Sequence, residues 1–569
     1  MKLHSAWIAA FAAVLIAPTL GFAADRNPYT AALNASLAAI NQADIRKDIN
    51  VLASDDFEGR SPGTHGEDMT VTYLIARFKE LDLAPGNPDG TYIEPVPMAG
   101  YTADARSSLI VGAKQIDLRF PDDFVAMSFA QSPDVAVTGC DLVFVGYGII
   151  APEYHWDDYK GVDVRGKTLV MLINDPPIPD PKDRSRLDDR MFGGRAMTYY
   201  GRWTYKYEMA AKLGAAAAII IHETEPAAYP YSVVVNSYSK ENMALRSVAP
   251  NPDFPSVAAW LQLDRARELF AATGRDFDTL KAAALSKDFR PVTLDAKVSF
   301  AIHNRIRDVD SKNVIGKIEG SDPKLRDEYV IYSAHWDHFG WDKSLPGSKH
   351  DQIYHGAADN ASGVAALLAL AKGFKASPTP PKRTVLFIAT TGEERGWLGA
   401  RYYVQHPLYS LRRTLADINI DGINTWGRAR DITVIGAEKS TMDDLLVRAA
   451  STQGRVVRPD PRPEFGTFYR ADQMEFAKVG VPVLFVGDSI DYIGKPAGYG
   501  NQLIDEYTAH DYHKVTDVAK AAWNLEGAVE DVQLLLQVGY GLAAGDLYPV
   551  WKPKAEFKAV RDAMMKQPE

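Results

Sequence analysis

Three short apolar runs, each followed within a few residues by an acidic residue or a histidine, limit what this chain can fold into. Tyr329-Val330-Ile331-Tyr332 leads to His335-Trp336-Asp337, Val385-Leu386-Phe387-Ile388 to Glu393-Glu394, and Ile418-Asn419-Ile420 to Asp421. Such runs, rich in β-branched and aromatic residues, read as parallel strands buried on both faces. The pattern predicts an α/β fold with a mixed, mostly parallel central sheet flanked by helices. In open sheets of this kind, ligands collect at the carboxyl ends of the strands. His335, Asp359, Glu394, Asp421 and His513 are therefore candidate metal ligands on one rim. Mixed imidazole and carboxylate donors suit zinc, and a carboxylate can bridge a pair of ions.

Each residue alone has an ordinary reading. Alternate residues at a strand end point to the same side, so Asp337 could take the second N–H of His335, or the two could form a buried pair. Asp359 sits among the small residues of Gly356-Ala357-Ala358-Asp359-Asn360-Ala361-Ser362-Gly363, which suits a crowded bridging position but also a helix N-cap. Of Glu393 and Glu394, one can bind metal while its neighbour takes a proton from the attacking water; a solvated acidic loop is the plain alternative. Asp421 and His513, taken singly, are more often structural. The ordinary readings do not explain why all these positions fall at strand ends and loops of one α/β unit.

The chain has 569 residues, of which 46% are hydrophobic, enough for two or three domains with their own cores. A net charge of -10 argues against nucleic acid as a partner. Residues 1–24 read as a cleaved signal peptide. Lys2 is followed by an apolar stretch from Ala6 to Leu20, then by the small residues of Gly21-Phe22-Ala23-Ala24. An uncleaved anchor is the alternative; otherwise no stable membrane insertion is expected once the signal is removed. Cys140 is the only cysteine, so no intrachain disulfide forms. An exported chain without disulfides fits a bacterial periplasm or medium. Cys140 itself is expected to be a small buried hydrophobe.

Organisation follows texture. Residues 25–118 carry helical patterns, including Met69 to Leu81, and form the N-terminal part of the catalytic domain. Residues 119–298 alternate strand-like runs with Pro- and Gly-rich turns and read as an inserted, β-rich α+β domain. Residues 299–569 form the main catalytic part, with hairpin candidates at Val298 to Arg305 and Asn313 to Ile318, and helices at Ala361 to Phe374 and Trp523 to Leu542. Gly146-Tyr147-Gly148-Ile149-Ile150-Ala151 matches a dinucleotide fingerprint. Pro152 follows it where a helix should begin, so a turn is the better reading.

Together the motifs His-x-Asp, Asp-Asn-x-Ser-Gly, Glu-Glu-x-Gly-x-x-Gly, the strand-end aspartate and Tyr-His-x-x-x-Asp resemble metallopeptidase family 28, the co-catalytic zinc aminopeptidases. The resemblance covers about 299–545, with Gly59-Arg60-x-Pro62-Gly63-Thr64 similar as well. It implies two zinc ions per chain, one held by His335, Asp359 and Asp421, the other by Asp359, Glu394 and His513. It implies Glu393 as general base, Asp337 as the group orienting His335, Tyr512 as an oxyanion stabiliser, and a cis peptide after Asp359. Arg470-Ala471-Asp472-Gln473 is similar to the family's Arg-Ser-Asp-His, with two positions replaced, so Arg470 and Asp472 are candidate substrate contacts. The 119–298 insertion is similar to a protease-associated domain. Peptide substrates and aminopeptidase action are implied. A carboxypeptidase, a dipeptidase, a glutaminyl cyclase on the same fold and a non-catalytic binding protein stay open.

Overall fold

The computed structural model describes residues 30–247, 251 and 253–567; the signal-peptide segment lies outside them. A single twisted sheet runs through the molecule. Its strands follow the order Val456–Pro459, Asp431–Val434, Val483–Gly487, Thr414–Asn419, Tyr329–His335, Thr384–Thr390, Val292–Ile318, Asp134–Phe144, Thr168–Leu172, Ala217–His222, Val257–Gln262 and Phe124–Met127. Tyr329–His335 lies between Thr384–Thr390 and Thr414–Asn419 and is parallel to both. Every residue of these three strands is buried, because helices cover both faces and leave no room for polar alternation.

One face carries Val330, Tyr332, Ala334, Val385 and Phe387. The Ser362–Lys375 helix packs there between Gln42–Leu52 and Glu526–Ala544. That helix is buried almost all round, as its run of apolar residues requires. The other face carries Ile331, Leu386 and Ile388 against Tyr403, Met474 and Phe476 from the Leu398–Gln405 and Gln473–Lys478 helices. Side-chain alternation along each strand thus divides one sheet between two cores.

The sheet continues into a second core built around Leu142, Phe144, Val170, Ile220 and Trp260. A long antiparallel ribbon joins the two regions. Ile93–Val111 pairs with Val292–Ile318 from Ile93↔Val314 to Val111↔Ala296. The carboxyl end of Val292–Ile318 pairs with Thr384–Thr390 and its amino end with Asp134–Phe144. The hairpin expected between Arg305 and Asn313 is therefore absent, and one 27-residue strand takes its place. The charged residues between them, Arg305, Arg307, Asp308 and Asp310, point to solvent, while Val309 and Ser311 are buried. Polar alternation in a two-stranded ribbon imitates a turn in sequence. Cys140 is half-buried against the second core rather than enclosed by it. Gly146 and Gly148 both take positive φ in a turn, and no α-helix follows.

Candidate functional site

Parallel pairing brings three strand ends to one rim. His335 is the last residue of its strand; Glu393 and Asp421 follow the ends of the two neighbours. Asp359 arrives from the loop before the Ser362–Lys375 helix, and His513 from the turn after Tyr499–His510. The imidazole Nε2 of His335 lies 3.2 Å from Asp359 Oδ1 and 3.1 Å from Asp421 Oδ1. The Nε2 of His513 lies 3.2 Å from the other oxygen of Asp359, Oδ2, and 3.3 Å from Glu394 Oε2. The two oxygens of Asp359 thus face two separate nests, each completed by one histidine and one further carboxylate. Glu393 Oε2 stands 4.0 Å from His335 Nε2.

The loop that carries Asp359 is fastened from three sides. Its peptide bond to Asn360 is cis. The Asn360 carboxamide accepts from Gly363 and Gly422 and donates to Ile420, which ties the helix start to the Asp421 loop. Asp517 accepts from the backbone N–H of Ala358 and Asp359. Arg60, fully buried, donates to the carbonyls of Leu52, Trp336, His355 and Gly356. Here the guanidinium serves as a frame, since its donors are used on carbonyls and not on a carboxylate.

Electrostatics separate the carboxylates. Burial, reinforced by Asp421, Glu394 and Asp472, pushes Glu393 well above the usual carboxylate range. Burial would raise Asp359 too, but hydrogen bonds from His335 and His513 outweigh it and hold it well below that range. Burial opposes a charge on His335, yet Glu393, Asp421 and Asp359 raise it well above the ordinary imidazole value. Such a crowd of buried carboxylates around two imidazoles needs added positive charge to stay ionised. Oxygen and nitrogen donors in two nests about a shared carboxylate suit divalent cations.

Asp337 acts differently from the expectation. His335 Nδ1 meets the backbone carbonyl of Asp337 at 3.1 Å, while the carboxylate oxygen lies 3.8 Å away. That carboxylate accepts from the Glu393 N–H at 3.0 Å, so it sets the position of the Glu393 backbone. Asp472 is also displaced from its expected place. It is 1% exposed and accepts from Thr390 beneath the strand ends, out of reach of a substrate. Burial pushes its carboxyl up to about 7. Arg470 lines the cavity above the site. Tyr512, 44% exposed, stacks on the His513 ring and lines the same cavity.

His338 belongs to the site and was not anticipated. Its Nδ1 meets Glu394 Oε1 at 2.6 Å, and with Asp359 and Glu394 it forms a set of potential metal donors. Its place three residues after His335 was the available signal. The cavity over the site measures about 1100 Å³. Asp359, Glu393, Glu394, Asp421 and His513 line it together with Arg202, Trp203, Tyr229, Tyr238 and Trp260 from the second core region.

Residues 313–537 match the family model described as Peptidase family M28. A mouse protein named aminopeptidase NAALADL1 is 33% identical over 132 residues, 22% of this chain and 15% of that one. A vacuolar membrane protease of Vanderwaltozyma polyspora is 33% identical over 129 residues, 23% of this chain and 12% of that one. The matched stretch is thus a small part of these relatives. Among solved structures, an aminopeptidase from Aneurinibacillus sp. strain AM-1 superposes with a TM-score of 0.48 at 18% identity, covering 92% of this chain and 98% of that one. No helix among the described residues is long and apolar enough to cross a membrane.

Proposed function

We propose, from the premise that residues 313–537 form a peptidase family M28 domain, that this chain is an exported two-zinc exopeptidase, an aminopeptidase in its main activity. The observation that carries the reading is the division of Asp359 between His335 and His513, each nest closed by Asp421 or Glu394. His335, Asp359 and Asp421 would hold one ion; Asp359, Glu394 and His513 the other. Bound there, zinc supplies Lewis acidity to the scissile carbonyl and acidifies water.

Glu393 takes the proton of the attacking water and returns it to the leaving amine. Its burial favours holding that proton between the two events. The Asp337 carboxylate, by accepting from the Glu393 N–H, fixes where this exchange occurs. The carboxylates that line the cavity, Glu393, Glu394 and Asp421, favour a substrate α-ammonium over a carboxylate at the cleavage point. Tyr512, beside His513, is placed to donate to the developing oxyanion. The region around the second core, read as a protease-associated domain, contributes to the cavity wall. Export follows from the signal-like residues 1–24, and a bacterial periplasm or medium from the single cysteine.

The test is cleavage of one pentapeptide in free, N-acetylated and C-amidated forms. Acetylation should abolish hydrolysis and amidation leave it largely intact. The reverse pattern would make the chain a carboxypeptidase with the same metal centre.

A further inference from the structure

Outside the cavity, two histidines and a carboxylate meet. Asp55 opens the Asp55–Arg60 turn, His350 opens the His350–Gln352 turn, and His355 follows the Ile353–Tyr354 strand. His350 Nδ1 lies 2.7 Å and His355 Nε2 2.8 Å from the same oxygen, Asp55 Oδ1. The donor atoms of the three fall within 4.8 Å of one another, as do those of His335, Asp359 and Asp421 and of His338, Asp359 and Glu394. Among the described residues it is the one such group away from the site of Asp359, and none of its members lines the cavity.

This is not an ordinary histidine–carboxylate pair. His303 shows the ordinary one: it meets Asp134 singly, at 2.9 Å, with both side chains exposed. Around Asp55 two imidazoles converge on one oxygen with their ring centres 4.5 Å apart, while Oδ2 accepts no hydrogen bond among the described residues. Hydrogen bonding alone would have both oxygens to use. His355 is 1% exposed, and its Nδ1 is buried with no partner. Asp351, beside His350, adds a negative charge near Asp55. Of the cations close by, Lys349 pairs with Glu58 at 2.9 Å, and Arg60 is balanced by Asp517, Asp337 and Asp359. Three donors about a common point, two of them imidazole nitrogens, suit a first-row divalent ion such as zinc, nickel or copper. Bonds of about 2.0–2.2 Å to such an ion would set the donors roughly 3.3–3.5 Å apart. The half-exposed side chains of Asp55 and His350 have room to open by that much.

We propose that Asp55, His350 and His355 form a separate metal site, which takes a divalent transition ion and clamps the Asp55–Arg60 turn to the strand pair leading into the Asp359 loop. That pair is Gly340–Trp341 with Ile353–Tyr354. Turn and strands already abut: Gly59, at positive φ, lies so close to the carbonyls of Gly340 and Tyr354 that a side chain there would collide with them. Arg60, from the same turn, donates to the carbonyls of His355 and Gly356. With an ion on its ring, His355 is held at both ends, shortly before Asp359. The site shares no donor with the two nests around Asp359, so it stands whether or not the chain is a peptidase.

The experiment uses the full chain, equilibrated with buffered zinc, beside His350→Gln and Asp55→Asn. Both substitutions fall at half-exposed positions, where the fold is not at stake. Elemental analysis should find one zinc more per chain in the wild type than in either variant. Chelator competition should show that ion held at least about 10- to 100-fold more weakly in the variants, since losing a ligand costs no less than losing an outer partner. An Asp359→Ala chain should still hold this ion, and adding Asp55→Asn should remove it, which separates a direct loss from one passed on to the nests. Zinc should also slow tryptic cleavage after Lys349 in the wild type and not in Asp55→Asn. Equal zinc content and affinity in the wild type and both variants overturn the site. A bound ion that leaves cleavage after Lys349 unchanged overturns the clamp.

Discussion

Glu393 and Asp359 are both buried carboxylates, yet their neighbours assign them different work. Asp359 is answered on both oxygens by imidazoles, whereas Glu393 faces other carboxylates. Glu393→Gln should therefore keep its metal and lose about 10²- to 10⁴-fold in turnover, the usual worth of a positioned acid–base group. Asp359→Ala should lose metal as well. Elemental analysis beside peptide turnover separates the two, and a metal-loaded Glu393→Gln protein working at near-normal rate would remove Glu393 from the base role. His338 poses a subtler case. It holds the Glu394 oxygen that does not face His513. His338→Ala should weaken metal affinity by about 10- to 100-fold, the range seen when an outer partner of a ligand is removed. Competition with a buffered chelator measures this, and unchanged affinity would leave His338 a packing residue. His335, Glu394 and Asp421 are candidates from sequence because each follows a strand, and Asp359 because it sits among small residues; His513, in a turn after a helix, carries no such local signal. His338 was not legible, since its bond to Glu394 joins two loops that only the fold brings together.

At the scale of elements, the buried parallel strands and the Ser362–Lys375 helix were legible because their signals are local: unbroken apolar runs and small residues at a helix start. The ribbon was not, because its charged middle reads as a turn and its partner strand is far away in sequence. The ribbon also buries a titratable group. Glu94 pairs with Asn313 across the two strands and accepts from its side chain at 2.7 Å, while Glu94 Oε1 has no partner. Burial pushes the Glu94 carboxyl up from 4.5 to about 7. Between those values the unfolded chain has lost the proton and the folded chain still holds it, so stability falls as pH rises. The loss is complete above about pH 7 and absent below about pH 4.5, and amounts to about 3 kcal/mol. Glu94→Gln should remove it. The variant should gain on the wild type in urea midpoint from pH 5 to pH 8, with the two nearly equal at pH 4.5. A difference independent of pH would mean that Glu94 is ionised in the folded chain.

At the scale of the molecule, the floor of the cavity was legible in the sequence and its far wall was not. The floor is built by neighbouring strands of one sheet. The wall comes from residues far earlier in the chain, and no periodicity announces that Arg202 or Trp260 will line a cavity with the carboxylates. A line of alternating charge crosses between wall and floor. Glu208, on the Trp203–Lys212 helix, lies 2.7 Å from Lys478; Lys478 is 3.7 Å from Glu475, Glu475 is 3.1 Å from Arg401, and Arg401 reaches Asp253 at 3.8 Å. The line begins and ends on the second core region and crosses the peptidase region between. Lys478 sits at its first crossing, and its side chain is only 24% exposed. Lys478→Met keeps the length of the stem and strips Glu208 of its cation, while Glu475 keeps Arg401. Breaking a buried pair costs about 3–5 kcal/mol; with this partial exposure about 2 kcal/mol is expected, read as a lower urea midpoint. Because the lost contact joins the two regions, KM for peptides that touch the wall should rise while turnover of a small amino-acid anilide stays nearly unchanged. Glu208→Gln combined with Lys478→Met should recover part of the stability, since it removes the stranded charge. If Lys478→Met left both the midpoint and KM unchanged, the charge line would not be what seats the wall over the floor, and the ribbon alone would have to do so.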